Sequence, residues 1–190
     1  MKPDRLNAFT DGVIAIIITI MVLEMRVPEG TGLESLLPEL PIFGAYILSF
    51  IYVGIYWNNH HHMMQTATRV DGRVLWCNLN LLFWLSLFPY LIRWIDERGV
   101  TSFPVAAFGV ILAMAGLAYF LLERALIAAE GETSRVARAV GSSVKEWLSC
   151  ALYVTGVGAA FLVSPWLSIV LYMSVALMWL VPDRRFTRAD

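Results

Sequence analysis

Apolar residues in this chain fall in long runs separated by short polar stretches. A membrane-spanning helix takes about 20 mostly apolar residues. Six stretches meet or approach that length: 8–27, 41 to the histidines at 60–62, 74–95, 103–126, 147–163 with a start nearer Val144, and 165–181. The last two are slightly short. The PEGTG turn that begins at Pro28 closes the first stretch, and Pro165 opens the sixth at a first-turn position. Ser164-Pro165 predicts a tight hairpin between the fifth and sixth. The residues after the first apolar run, LEMRVPEG, carry no small-residue cleavage pattern, so this run is read as a retained span. Composition points the same way: 58% of the 190 residues are hydrophobic and 15% charged, against about half and a quarter in soluble domains. The expected fold is an all-α integral membrane protein, one unit of six transmembrane helices over 1–190.

Charge then orients the unit. Lys2, Arg5, Arg69, Arg73, Arg124, Arg135, Arg138, Lys145, Arg184, Arg185 and Arg188 fall on one side of the six-span layout. Only Arg26, Arg93 and Arg98 fall on the other. Excess lysine and arginine marks cytoplasmic loops, so both termini are expected in the cytoplasm. The first outer loop and the helix end before it carry Glu24, Glu29, Glu34 and Glu39. Trp94, Trp147, Trp166 and Trp179 fall near predicted span ends, where interfacial aromatics sit.

Several function classes drop out. A net charge of -1, with no basic run longer than Arg184-Arg185, gives no footprint for nucleic acid. Cys77 and Cys150 both lie in apolar segments and read as small buried hydrophobes, not as a disulfide or zinc site. His60, His61 and His62 are adjacent, and a helix aims successive residues about 100° apart, so one metal ion is not expected to take all three. HExxH, GxSxG, the P-loop and GxGxxG are absent, and no converging nucleophile, base or metal ligands suggest an enzyme. No cofactor or metal is expected. Gly156 and Gly158, and the run Gly109, Ala113 and Gly116, read as small residues that let helices approach closely.

The first helix holds the informative chemistry. Spaced at about 100° per residue, Ile16, Thr19, Ile20 and Leu23 form one stripe with a single hydroxyl. Arg5, Phe9 and Gly12 extend that stripe backwards, whereas Thr10 and Asp11 point the other way, towards the protein's own helices. An acid at mid-membrane costs about 2.5–3.5 kcal/mol on insertion scales. Asp11, expected about one turn inside the cytoplasmic edge and in the helix's first turn, costs less but still wants a partner. Tyr46, Ser49, Tyr56, Trp57 and the histidines of the second helix, with Asn78 and Asn80 of the third, are at hand. Trp57 and His61 share a face at i, i+4. A polar network joining helices one to three competes with exposure of the same groups to headgroup water. The aliphatic stripe by itself is equally the pattern of ordinary packing.

The phrase Arg5-x-x-x-Phe9-Thr10-Asp11 at the start of the first helix resembles the opening motif of the transmembrane protein 175 family. The resemblance continues through GVIAIIITIMVLEM and the second-helix phrase YILSFIYVGIYWNNHH, and the six-span layout covers nearly the whole chain. Thr10 stands where the family usually has serine, which keeps the hydroxyl. The resemblance implies a bacterial potassium channel whose single six-helix units assemble as homotetramers. It implies a pore lined by the first helix at Ile16, Thr19, Ile20 and Leu23. It also implies a brace at Arg5, Phe9, Thr10 and Asp11 against the second and third helices, where the residues themselves offer Trp57, His61 and Asn78 as interhelical partners. The helical wheel disagrees for Arg5 and Phe9, which it places on the pore side.

Stacked rings of Ile16, Ile20 and Leu23 would gate by dewetting. No TVGYG carbonyl filter is present, so selectivity is expected from pore width, the Thr19 hydroxyl ring and trapped water. The acidic outer loop would concentrate potassium ions at the mouth. No arginine-rich sensor helix suggests steep voltage gating. The expected setting is the bacterial inner membrane, in contact with lipid. The alternative is a proton-coupled membrane transporter in which Asp11 titrates and a second-helix histidine relays the proton.

Overall fold

The computed structural model describes residues 3–28, 30–134, 136–137 and 144–180. Lys2, Glu29, Arg135, Arg138, Arg184, Arg185 and Arg188, which entered the charge argument, lie outside these residues. The described residues are helical, with no strand. In chain order they form α1 (Pro3–Leu23), a 3-10 segment (Leu33–Glu39), α2 (Leu40–Thr66), α3 (Gly72–Leu85), α4 (Phe88–Arg98), α5 (Ser102–Glu130), α6 (Val144–Leu162) and α7 (Pro165–Leu180). Four segments are long and apolar enough to cross a membrane: α1, the 3-10 segment with α2, α3 with α4, and α5. The helix α7 is apolar but shorter.

Local chemistry sets several boundaries. The side chain of Asp71 caps α3 by accepting the N–H groups of Arg73 and Val74 at 2.9 and 3.0 Å. Those two N–H groups hold its carboxyl below the usual carboxylate range. The third apolar run, expected as one helix over 74–95, is instead broken at Ser86 and Leu87. Pro89 causes the break: it lacks an N–H, and its ring would clash with the carbonyl of Leu85 in a continuous helix. Ser86 eases the exit by donating its hydroxyl to Phe83 O at 2.7 Å. The predicted hairpin at Ser164-Pro165 is present, and Ser164 Oγ accepts the N–H of Trp166 at 3.2 Å.

The helix α5 sits at the centre, packed against α3 and α6 and touching α4 and α7. Close approach there depends on two glycines. A Cβ at Gly109 would overlap the Tyr172 hydroxyl, and one at Gly156 would overlap its ring. Tyr172 therefore fills a notch between α5 and α6, edged by Phe108 and Tyr153 at centroid distances of 6.0 and 6.2 Å. Gly158 and Gly116 do not share this role: nothing lies within 4 Å of a Cβ at Gly158, and Gly116 is in ordinary contact. Between apolar helices in lipid, such packing replaces the hydrophobic driving force. The cysteine expectation holds for neither residue in full, since Cys77 is half-buried and Cys150 is exposed.

The helix α1 lies at the edge, against α2, α3 and α4. Where it ends, ion pairs tie it to α4. Arg26 Nε meets Asp96 at 2.8 Å, and Arg93 reaches both Glu24 at 3.5 Å and Glu97 at 3.1 Å. Glu24, expected to add to an acidic mouth, is thus partly neutralised by Arg93.

Candidate functional site

One face of α1 is buried and the opposite face is open. Leu6, Thr10, Ile14, Ile17 and Met21, spaced by three or four, are the buried residues. The open side carries Ile16 at 59%, Ile20 at 38% and Leu23 at 79% exposure, together with Ala8, Gly12, Ala15 and Thr19. The Thr19 hydroxyl donates to Ile16 O at 2.8 Å. Its proton is therefore committed to its own helix, and its oxygen keeps accepting capacity towards the open side.

The buried face meets a polar layer built by three helices. Asn78 of α3 donates from Nδ2 to Thr10 Oγ1 at 2.9 Å. Its Oδ1 lies 2.8 Å from Nε2 of His60 on α2. With that amide orientation, Nε2 of His60 carries the proton. Thr10 and Asn78 are 0% exposed and His60 is 1% exposed, so neither water nor lipid headgroups replace these bonds. Beside this layer, Trp57 Nε1 donates to Asp11 Oδ1 at 2.9 Å. The Trp57 ring stacks on His61 at 5.8 Å, and His61 pairs with Gln65 at 2.8 Å.

The structure therefore brings together Thr10, Asp11, Trp57 and Asn78. It does not bring in Arg5 or Phe9, which are exposed on the opposite side of α1. That is where the helical wheel puts them, and among the described residues no hydrogen bond or ion pair braces them there. It is Trp57 that bonds Asp11, while His61 bonds Gln65 and stacks on Trp57. Asn80 is exposed, and Tyr46 stacks with Phe43 and Phe50 instead. Asp11 is not in the first turn of α1, which starts at Pro3 and carries Asp4 there. His60 is the histidine that sequence reasoning passed over. Its signal was spacing: Ser49, Val53, His60 and Met64 recur at i, i+4, i+11 and i+15, and all four are buried.

Comparison with known proteins places the chain in a family. The family described as "Endosomal/lysosomal potassium channel TMEM175" matches residues 5–89, which hold α1, α2, α3 and the whole polar layer. A potassium channel of Chryseobacterium is 52% identical over 189 residues, covering 100% of this chain and 98% of that protein. The crystal structure of a lysosomal potassium-selective channel TMEM175 homolog from Chamaesiphon minutus superposes with a TM-score of 0.77 at 25% identity. That match covers 94% of this chain and 96% of the other. The human endosomal/lysosomal proton channel TMEM175 is 33% identical over 87 residues, 38% of this chain and 17% of its own length. The fold and these matches define a membrane ion channel, not an enzyme. The chain belongs to the TMEM175 family.

Proposed function

We propose that the protein is a potassium-permeable channel of the bacterial cell membrane. Four copies, each spanning the bilayer six times with both termini cytoplasmic, would place their α1 helices around a common axis. The observation that carries this reading is the open face of α1. It combines large aliphatic residues at Ile16, Ile20 and Leu23 with small ones at Ala8, Gly12 and Ala15. Small residues allow helices in a membrane to approach closely, and a face meant only for lipid has no need of them. Rings of Ile16, Ile20 and Leu23 would then form the narrowest, driest part of the pore and close it by dewetting. The Thr19 oxygens, with their own protons already donated to Ile16 O, would offer acceptors to a passing cation. Weakly hydrated potassium sheds water at less cost than sodium, so a narrow apolar constriction favours it. Thr10, Asp11, Trp57 and Asn78 hold α1 in place from behind. Arg5 and Phe9, on the open side, can brace only against a neighbouring subunit.

Potassium and sodium flux into liposomes tests the proposal. Wild type should pass potassium in preference to sodium, and Ile16→Asn should leak both ions with lower selectivity. Absence of flux from well-folded wild type would remove the channel reading. The proton-coupled transporter is the second reading, favoured by the buried His60 in the polar layer beside Asp11. It requires that Asp11→Asn abolish transport while assembly survives. The channel reading expects flux to persist in that variant, because the amide oxygen still accepts from Trp57 off the open face.

A further inference from the structure

Behind the polar layer, α2, α5, α6 and α7 enclose a cavity of about 170 Å³ that has no place in the channel reading. Its walls are aromatic and aliphatic: Tyr56, Phe120, Trp147, Ile55, Ala113 and Leu117. Polar side chains also line it, Asn59 and Ser149 among them, and two carry buried oxygens without a partner among the described residues. The Tyr119 hydroxyl belongs to a side chain only 6% exposed and has no hydrogen-bond partner among the described residues. Oε2 of Glu146 is likewise buried and unpartnered among them. Unsatisfied buried oxygens are costly, and here both border the same space. Leu117, Trp147 and Cys150 are exposed at the rim, so the cavity opens sideways between α5 and α6. Lys145, the neighbouring cation, lies over the Trp179 ring at 5.5 Å.

We infer that this cavity binds a small aromatic ammonium ion, with its charge against Glu146 and Tyr119 and its ring among the tyrosine, phenylalanine and tryptophan side chains. Size supports one ring, since an apolar cavity of about 150 Å³ is enough to hold benzene. Charge supports a cation: a carboxylate oxygen and a phenol oxygen attract an ammonium, and aromatic faces add cation–π attraction. The rings of Tyr56 and Tyr119, 6.0 Å apart, supply two such faces. An acyl chain would leave both oxygens unsatisfied, and an anion would meet Glu146.

The test uses Cys150 at the rim as reporter in the full chain carrying Cys77→Ser, solubilised in detergent. The rate of Cys150 alkylation is followed with benzylammonium, toluene or benzoate present. Benzylammonium should slow alkylation several-fold at saturation, with toluene and benzoate at the same concentration having little effect. Glu146→Gln should weaken this protection by about tenfold or more, the loss of one charge-assisted hydrogen bond. Tyr119→Phe, which keeps the ring, should weaken it less and serves if Glu146→Gln fails to fold. Equal protection by toluene would mean an apolar void only. That result, no protection by benzylammonium, or unchanged protection in both variants overturns the inference. The readout involves no ion flux, so its failure and failure of the channel reading are separate results.

Discussion

Ile14 and Ile16 stand two residues apart on α1, yet Ile14 is 3% exposed and Ile16 is 59% exposed. Both faces of the helix are aliphatic, and hydropathy cannot rank them. What separates them is the polar residue that each face carries. Thr10, in register with Ile14 and Ile17, finds Asn78 and through it His60, which locks that face inward. Thr19, in register with Ile16 and Leu23, finds its own backbone and no other partner among the described residues. A hydroxyl with a partner on another helix marks the face that builds the subunit. A hydroxyl satisfied within its own turn leaves the other face free for something else. The same contrast holds between helices: half of the most apolar window of α5 is buried, against 28% of that of α1.

The largest effect should come from breaking the inward face. Asn78→Ala leaves both Thr10 and His60 without a partner, costing about 1–3 kcal/mol for each unsatisfied group. Thermal unfolding in detergent and size-exclusion profiles should show a destabilised protein, while any channel that still assembles keeps its ion preference. Ile16→Asn should do the opposite, leaving unfolding nearly unchanged while raising resting flux and lowering selectivity in liposomes. Trp57→Phe removes one half-exposed hydrogen bond to Asp11 and keeps an aromatic ring for His61. Its expected cost is about 0.6 kcal/mol, the mean for interhelical bonds in a membrane, visible as a small fall in unfolding temperature. The smallest effect is expected for Thr19→Val, which keeps shape and helix but removes the oxygen. Unfolding should not change, and the potassium-to-sodium flux ratio should shift modestly. An unfolding change in Thr19→Val or Ile16→Asn as large as that of Asn78→Ala would erase the distinction between the faces.

Much of this was legible in the chain. Run length located α1, α2, α5, α6 and α7 to within about five residues at each end, because apolar length is what a bilayer demands. Helical spacing put Thr10 and Asp11 opposite Ile16 and Leu23, and the structure has them so. The misses have physical causes. The third run was read straight through Pro89, since apolar length says nothing about a missing N–H, and the turn at Ser86 and Leu87 follows from that one residue. His61 was preferred over His60 because its spacing from Trp57 pairs the two rings. That pairing exists, as the stack at 5.8 Å, but it runs along α2 and leaves contact with α3 to the next residue back. Arg5 and Phe9 were assigned to the brace by resemblance, whereas the wheel put them on the other face, and among the described residues both are exposed there.

In the proposed channel, the open face of α1 lines a water-filled path shared between subunits. Single cysteines at Ile16 and Ile14, in a chain with Cys77→Ser and Cys150→Ser, test it most directly. Potassium flux into liposomes would be followed while a small charged thiol reagent is added from the water. The reagent should block flux through Ile16→Cys and leave Ile14→Cys unaffected. Flux through Ile16→Cys that is indifferent to the charged reagent, while a lipid-soluble maleimide labels the same cysteine, would put that face in the bilayer and contradict the account.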